Sequence, residues 1–498
     1  MGSLIIGIDQ STQGTKALIL DGEGRLKGHA SLPHRQIVNE QGWVSHDPEE
    51  IWNNTVEVCR LALEDAGADP ADVAGVGISN QRETTVAWNA ETGKPVCDAI
   101  VWQCSRAKDL CEKIAEQERS ATVVHSRTGL ELSPYYPASK MMWIMRNVDG
   151  CWDLARAGKL RLGTIDSWLV WNMTEGKEFR CDYSNASRTQ LFDIDALAWS
   201  GEVCSIFGID PACLPTVTDS DADFGSTTLG GVLPNAVPIH GVLGDSHAAL
   251  FGQGCLVEGQ AKTTYGTGSS VMMNVGEKPV RSERGLSTSL AWRMSGVTNY
   301  VLEGNINYTG AVISWLKDDL GLIQSTGEVE PLCREAVQGD DLYFVPAFTG
   351  LGAPHWASDA TARIVGMTRT TRRAEIVRAA TESIAYQIAD VVIAMEADSG
   401  IKLEQLRVDG GPTANGYLMQ FQSDLLNTPI RVPAAEEMSA LGAGWCAGIA
   451  LGLYDKDVMV RDAARSTYAP VMDEPVRAAK LGGWGAAVSG AIEASRKH

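Results

Sequence analysis

The sequence has little of what marks a secreted or membrane protein. Its amino-terminal segment, MGSLIIGIDQSTQG, has no basic residue before the apolar run LIIGI, which ends after five residues. A signal peptide needs a charged start and a longer apolar core, and a membrane-spanning helix needs about 20 apolar residues. We therefore expect a cytoplasmic protein.

Cysteine is present but lacks the spacing of a metal site. The 11 cysteines are scattered, no two form a C-x-x-C pair, and no histidine lies at the spacing of a zinc ligand. Structural zinc sites depend on such spacing. The expected state is therefore reduced thiols, most of them buried.

Positive charge is in deficit. The chain has 42 Lys and Arg against 62 Asp and Glu, which gives a formal net charge of -20 at pH 7. An acidic surface repels the phosphates of nucleic acids and anionic lipids, so we expect neither as a partner. An anionic ligand can bind only where backbone N–H groups, local basic side chains or a bound cation reverse the field.

Two familiar phosphate-handling motifs are also missing. The sequence contains neither the P-loop G-x-x-x-x-G-K-[ST] nor the H-R-D triplet of protein kinases. Any phosphoryl transfer by this chain must therefore use another scaffold.

Strand and helix patterns alternate along the chain. LIIGID and TKALILD, on either side of the turn STQG, predict a β-hairpin. The segment DPEEIWNNTVEVCRLALEDAG predicts a helix behind an acidic first turn, and VAGVGISN predicts a buried strand. This order of strand, helix and strand indicates an α/β fold.

A second hairpin pattern, QAKTTYGTGSSVMMNV, follows half a chain later and suggests a duplicated architecture. A chain of 498 residues is too long for one hydrophobic core. We predict two domains, residues 1–245 and 246–498.

The turns of the two hairpins are candidate phosphate sites. Glycine and hydroxyl residues let backbone N–H and O–H groups approach phosphate oxygens, and an acid at the end of a strand can hold Mg²⁺ through water. Either turn alone is more often an ordinary hairpin turn. The candidates are Asp9, Thr12, Gln13, Thr15 and Lys16 in the first turn and Thr267 in the second.

Two further turns join a strand to a helix. Asp245 follows an apolar strand, where it could accept the proton of an attacking hydroxyl, although an N-cap is the favoured role on sequence alone. Gly410 and Gly411 follow the strand RVD, with Asn415 close behind. Paired glycines let an adenine ring approach the backbone, but they also serve packing alone.

Arg82, Glu83 and Trp102 form the last candidate group. An adjacent Arg and Glu offer donors and acceptors to vicinal hydroxyls, and a Trp offers an apolar wall. Without further context, a surface ion pair and a core tryptophan are the favoured roles.

Several longer segments resemble the glycerol kinases of the FGGY family of carbohydrate kinases. They run in family order from about residue 42 to residue 424 and include GISNQRETT, DYSNASRT, YGTG, VPAFTGLGAPHW, RVDGG and LMQFQSD. The resemblance implies two actin-like and hexokinase-like domains, each with a ribonuclease-H-like α/β fold, and a catalytic cleft between them. Relatives also suggest a homo-oligomer, either a dimer or a tetramer.

The resemblance further implies roles for single residues. Asp9 and Asp245 would face Mg²⁺ and ATP, with Asp245 as the base. The other implied groups are Thr12, Thr15 and Thr267 at the phosphates, Gly310, Gly411 and Asn415 at the nucleotide, and Arg82, Glu83, Trp102 and Tyr135 at a small polyol.

The chain departs from these relatives at the acceptor site. Ser246 replaces a usual Gln and Ser270 replaces a usual Phe, so both positions lose bulk and Ser270 adds a hydroxyl. A substrate larger or more hydroxylated than glycerol, such as erythritol or threitol, could use this space. A ketopentose kinase of the xylulose type is an alternative enzyme, and an actin-like ATPase switch is an alternative of another class.

Overall fold

The computed structural model describes residues 3–337, 341–461 and 464–495. Strands β1 to β15 belong to the first half of the chain. In order they are Leu4–Gln10, Gly14–Leu20, Leu26–Pro33, Ile37–Val38, Val44–His46, Val73–Asn80, Thr85–Asn89, Ala99–Ile100, Leu160–Thr164, Arg180–Asp182, Phe192–Asp193, Ala198–Trp199, Thr216–Thr218, Ser226–Thr227 and Val237–Gly244.

Strands β16 to β24 belong to the second half. In order they are Gln260–Tyr265, Ser269–Asn274, Ser287–Met294, Val297–Ile306, Tyr343–Val345, Arg363–Val365, Gln405–Asp409, Ile430–Pro433 and Ala464–Tyr468.

Helices α1 to α16 are distributed over both halves. In order they are Pro48–Asp65, Lys108–Ala115, Ser120–Thr128, Pro137–Asn147, Cys151–Arg156, Ile165–Met173, Tyr183–Ala186, Gly201–Phe207, Asp245–Gly252, Gly310–Asp318, Val329–Glu335, Arg373–Ser399, Gly416–Leu426, Met438–Ala450, Val458–Arg461 and Glu474–Ser495.

The larger sheet of the first half has the strand order β14, β15, β6, β1, β2, β3. Strand β1 forms the predicted hairpin with β2 and runs parallel to β6, which in turn runs parallel to β15. Gln10 and Gly244 both lie opposite Asn80. The carboxyl ends of three parallel strands therefore meet at one edge, where ligands of α/β sheets bind.

The larger sheet of the second half repeats this design. Its order is β18, β19, β17, β16, β22, β23, β24, with β16 and β17 forming the second predicted hairpin. Strand β16 runs parallel to β22, and Thr264 lies opposite Asp409. The α/β class and the repeated hairpin unit are thus confirmed.

Helix α14 comes from the second half of the chain but packs on the first sheet. A Cβ atom at Gly7 of β1 would lie 2.4 Å from the carbonyl oxygen of Ala440, and one at Gly77 of β6 would lie 2.2 Å from that of Ala443. Contacts this close require glycine. No sequence pattern predicted this packing, and the domain division at residue 245 stays a prediction.

All 11 cysteines lie within the described ranges, and all are free; Cys97 is half-buried and the others are buried. The prediction that most of the thiols are buried is confirmed. Among the described residues, none of the helices combines the length and the apolar character that crossing a membrane would require.

The packing of α14 can be tested at Gly442. An added Cβ there would lie 2.0 Å from the carbonyl oxygen of Ala248, whereas one at Gly482, in α16, would have no neighbour within 4 Å. We expect Gly442→Ala to destabilise the fold by about 1–3 kcal/mol through overpacking. Gly482→Ala should stabilise it by up to about 1 kcal/mol, since alanine favours helices. Thermal unfolding measures both, and equal melting temperatures would contradict the assigned contact.

Candidate active site

Asp9 and Asp245, the two predicted metal-facing carboxylates, come together at the edge of the first sheet. Asp9 is buried near the end of β1 and accepts a hydrogen bond from Ser79 Oγ at 2.8 Å. Burial, together with the nearby charge of Asp245, raises the pKa of Asp9 from 3.8 to about 7. The two side chains are therefore close enough for their charges to interact.

Asp245 is the first residue of α9, and the N-cap is Gly244. The favoured N-cap role is therefore wrong for Asp245. Its Oδ1 atom lies 3.1 Å from Arg82 Nε and accepts a hydrogen bond from the backbone N–H of Ser246 at 2.6 Å. With about a third of its side chain exposed (34%), the carboxylate remains accessible to a ligand.

The predicted polyol residues are also brought together. The rings of Trp102 and Tyr135 lie 5.5 Å apart, and Trp102 Nε1 donates to Thr12 Oγ1 at 2.9 Å. Tyr135 is half-buried, and its hydroxyl lies within the electrostatic influence of Glu83 and Arg82. Aromatic faces and paired charges thus share one small region beside the first phosphate turn.

Arg82 and Glu83 are not a surface ion pair, because only 5% and 2% of their side chains are exposed. They belong to a buried ring of four charges that also contains Arg188 and Glu303. Arg82 donates to Glu303 at 2.7 and 3.0 Å, Arg188 lies 2.8 Å from Glu303 and donates to Glu83 at 2.6 Å, and Glu83 lies 4.0 Å from Arg82. We call these four residues the charge ring.

The pKa values of the two acids in the charge ring shift in opposite directions. Burial raises the pKa of Glu83 above its ordinary value even though Arg188 and Arg82 oppose it. At Glu303, burial acts in the same direction, but the guanidinium groups of Arg188 and Arg82 prevail and hold the pKa below its ordinary value. Glu303 is therefore the firmly ionised acid of the ring.

The two replaced residues, Ser246 and Ser270, both lie at this site. Ser270 Oγ donates to Glu303 Oε1 at 2.9 Å. Its hydroxyl is therefore satisfied within the protein, so the expectation that it would need a more hydroxylated substrate loses its basis.

The predicted residues of the first phosphate turn differ in their exposure and in their hydrogen bonds. Gln13 is exposed, whereas Thr15 is buried and its hydroxyl has no hydrogen-bond partner within the described ranges. Lys16 Nζ donates to Glu437 at 2.7 and 2.9 Å. The pair is half exposed, with side-chain exposures of 36% and 40%.

Four predicted nucleotide-side residues line one cleft of about 570 Å³ in the second half of the chain: Thr267, Gly310, Gly411 and Asn415. Ser314, Ile313 and Leu418 add to its wall. The backbone N–H of Gly310 donates to the carbonyl of Gly266 at 2.9 Å, which joins α10 to the second hairpin turn. A cleft of this size and mixed lining suits a nucleotide.

Gly410 directly precedes the cleft residue Gly411. Its φ is +96°, and an added Cβ atom would lie 1.9 Å from the carbonyl oxygen of Tyr265. Only glycine therefore lets the turn after β22 lie against the turn after β16.

The carboxylates fit a phosphate-bound Mg²⁺ better than a dedicated metal cage. Within residues 3–337, 341–461 and 464–495, no three His, Cys, Asp or Glu side chains form a group that could hold a metal. Mg²⁺ in phosphoryl-transfer sites is usually held by one or two carboxylates, waters and the substrate phosphates. Asp9 and Asp245 supply that smaller set.

Sequence reasoning missed Arg188 and Glu303 as site residues. Arg188 lies inside the segment DYSNASRT, which was singled out but given no role. Glu303 is a lone acid within the mostly apolar strand β19, and it is fully buried. A lone buried acid was the available signal, since such groups require a partner.

Comparison with known proteins covers almost the whole chain. Residues 4–252 match the N-terminal domain model, and residues 261–451 the C-terminal domain model, of the FGGY family of carbohydrate kinases. Glycerol kinase 1 of Thermotoga maritima is 44% identical over 486 residues, covering 97% of this chain and 98% of the relative. Glycerol kinase of Vibrio atlanticus is 45% identical over 496 residues, covering 99% and 98%.

Solved structures give the same picture of the fold. Plasmodium falciparum glycerol kinase with ADP superposes with a TM-score of 0.92 at 35% identity, covering 98% of each chain. Xylulose kinase from Lactobacillus acidophilus superposes with a TM-score of 0.86 at 20% identity, covering 98% of each chain, and shares the fold.

The raised pKa of Asp9 predicts a pH-dependent stability. An acid whose pKa rises from 3.8 to about 7 on folding disfavours the folded state increasingly between those two pH values. Asp9→Asn removes this penalty, so we expect its gain in melting temperature over the native chain to be larger at pH 8 than at pH 5. Asp149→Asn, at an exposed turn, is the control. An equal gain at both pH values would contradict the shift.

Proposed function

Because this chain belongs to the FGGY family of carbohydrate kinases and is a phosphotransferase with an alcohol group as acceptor, we propose that it transfers the γ-phosphoryl group of ATP to a terminal hydroxyl of glycerol. One observation carries this proposal: Arg82 Nε lies 3.1 Å from Asp245 Oδ1, and Glu83, Trp102 and Tyr135 lie beside this pair. A proton acceptor and a polyol-binding group thus adjoin one another.

The acceptor would be held by polar groups on one side and aromatic rings on the other. Arg82 and Glu83 offer the donors and acceptors that vicinal hydroxyls need, while Trp102 and Tyr135 cover the carbon chain. Because the Ser270 hydroxyl already donates to Glu303, Ser270 does not favour a longer polyol. The full-length relatives quoted above are glycerol kinases, which supports glycerol.

Asp245 would act as the general base. Its carboxylate would accept the proton of the attacking hydroxyl, while Arg82 and the backbone N–H of Ser246 fix its orientation. In-line transfer of this kind needs positioning and charge stabilisation rather than a covalent enzyme intermediate.

The nucleotide would lie in the 570 Å³ cleft, with Gly310, Gly411 and Asn415 beside it and Thr267 at its phosphates. Thr12, Gln13, Thr15 and Lys16 would face the phosphates from the first turn. Asp9 and Asp245 would hold Mg²⁺, which, when bound, neutralises charge on the phosphates.

We place the reaction in the cytoplasm, where free thiols such as the 11 described here stay reduced. Two domains divided near residue 245 and a dimeric or tetrameric assembly remain predictions.

The base assignment can be tested with Asp245→Asn. The amide keeps the shape of the side chain but cannot accept the proton, so we expect kcat to fall by about 10²–10⁴-fold. ADP affinity, measured by titration calorimetry without Mg²⁺, should stay close to that of the native chain because Asp245 does not line the nucleotide cleft. Asp149→Asn should behave as the native chain in both assays. Native turnover by Asp245→Asn would exclude this carboxylate as the base.

The acceptor can be tested by comparing kcat/KM for glycerol, erythritol, D- and L-threitol, xylitol, D-xylulose and D-ribulose at one Mg²⁺ concentration. We expect glycerol to lead by at least tenfold, or about 1.4 kcal/mol. If a four-carbon polyol gave the highest kcat/KM, the loss of bulk at Ser246 and Ser270 would determine the choice of acceptor. A leading ketopentose would favour the xylulose-type alternative, and ATP hydrolysis with no acceptor preference would favour the ATPase switch.

A further inference from the structure

Glu303 comes from the second half of the chain but lies among the acceptor-site residues of the first half. Its side chain is fully buried, and the three partners it has among the described residues are all groups of this site. Arg82 donates to it at 2.7 and 3.0 Å, Ser270 Oγ donates at 2.9 Å, and a guanidinium nitrogen of Arg188 lies 2.8 Å away. It is the member of the charge ring that lies on the second sheet.

We propose that Glu303 is a positioning residue of the acceptor site, which it completes by holding Arg82 in place when the two halves of the chain are together. The proposal rests on the proposed function, because it takes Arg82 and Glu83 as the groups that bind the acceptor.

The charge balance explains why this position matters. The ring contains two guanidinium groups and two carboxylates, so its formal charges cancel while all four residues are present. Without Glu303, the two guanidinium groups would keep only Glu83 and Asp245, whose Oδ1 atom already lies 3.1 Å from Arg82 Nε. The terminal nitrogens of Arg82, which Glu303 holds, would then be free to shift onto Asp245 and away from the acceptor, because a buried charge needs a partner.

Ser270 supports this arrangement from the neighbouring strand. Strands β17 and β19 are antiparallel, with Ser270 opposite Asn305 and Met272 opposite Glu303. The Ser270 hydroxyl reaches across to Glu303 Oε1, the same oxygen that accepts the 2.7 Å bond from Arg82. Ser270 therefore orients Glu303 and acts on the acceptor through it.

The nucleotide cleft has no part in this network. None of Arg82, Arg188, Glu303 and Ser270 belongs to its lining. That lining comes from the end of β16, the turns after β16 and β22, the segment before α11 and helices α10 to α13. Disturbing Glu303 should therefore separate acceptor binding from nucleotide binding, whereas a general loss of structure would weaken both.

The test is steady-state kinetics on the full chain with Glu303→Gln, which keeps the shape of the side chain and removes its charge. We expect the KM for glycerol to rise at least tenfold and kcat to fall, while the KM for ATP stays within twofold. Glu303→Asp, which restores the charge on a shorter side chain, should recover part of the glycerol KM. Glu277→Gln, an exposed position of the second half, is the control and should match the native chain.

Ser270→Ala gives an independent reading, because it removes one hydrogen bond without leaving a buried charge unpaired. We expect a two- to fivefold rise in the glycerol KM at an unchanged ATP KM. If Glu303→Gln does not fold, this variant decides. A native glycerol KM in Ser270→Ala, or equal rises in both KM values in the folded variants, would overturn the role of Glu303. A native chain that phosphorylates none of the polyols would instead overturn the proposed function.

Discussion

Burial of four charged side chains at one point constrains the rest of this structure. Removing a single partner from a buried ion pair typically costs about 3–5 kcal/mol, because the other charge is left without compensation. Arg82, Glu83 and Arg188 come from the first half of the chain and Glu303 from the second. The two sheets must therefore meet in one relative position for the charges to cancel, and this position also brings Glu303 and Ser270 to the predicted acceptor residues of the first half.

Local patterns predicted the elements that carry the site. Both hairpins, the strand before Asp245 and the turn at Gly410 follow from apolar runs that end at glycine or polar residues, and the structure confirms them. Because strands β1, β6 and β15 are parallel, their carboxyl ends meet, and three separate segments of sequence converge on one edge. The grouping of Asp9, Arg82 and Asp245 was predictable for this reason.

Contacts between distant residues were not predictable in the same way. Arg82 and Glu303 lie 221 positions apart, and Lys16 and Glu437 lie 421 apart. No periodicity connects such residues, and helix α14, whose apolar face could pack on either sheet, gives no sign that it returns to the first. The wrong N-cap prediction for Asp245 has a local cause. The preceding Gly244 already supplies the extended backbone that a cap requires.

The distribution of charge also determines how an acidic protein could bind a triphosphate. Arg82 and Arg188 are committed to Glu83 and Glu303, so neither can turn to a phosphate without leaving an acid unpaired. Lys16 is different, since its pair with Glu437 is half exposed, and such pairs are worth only about 0–1 kcal/mol. It can exchange that partner for a phosphate at little cost. The backbone N–H groups of the two hairpin turns, and a cation held by Asp9 and Asp245, would then neutralise the remaining phosphate charge. Such a cation would also favour the ionised form of Asp9.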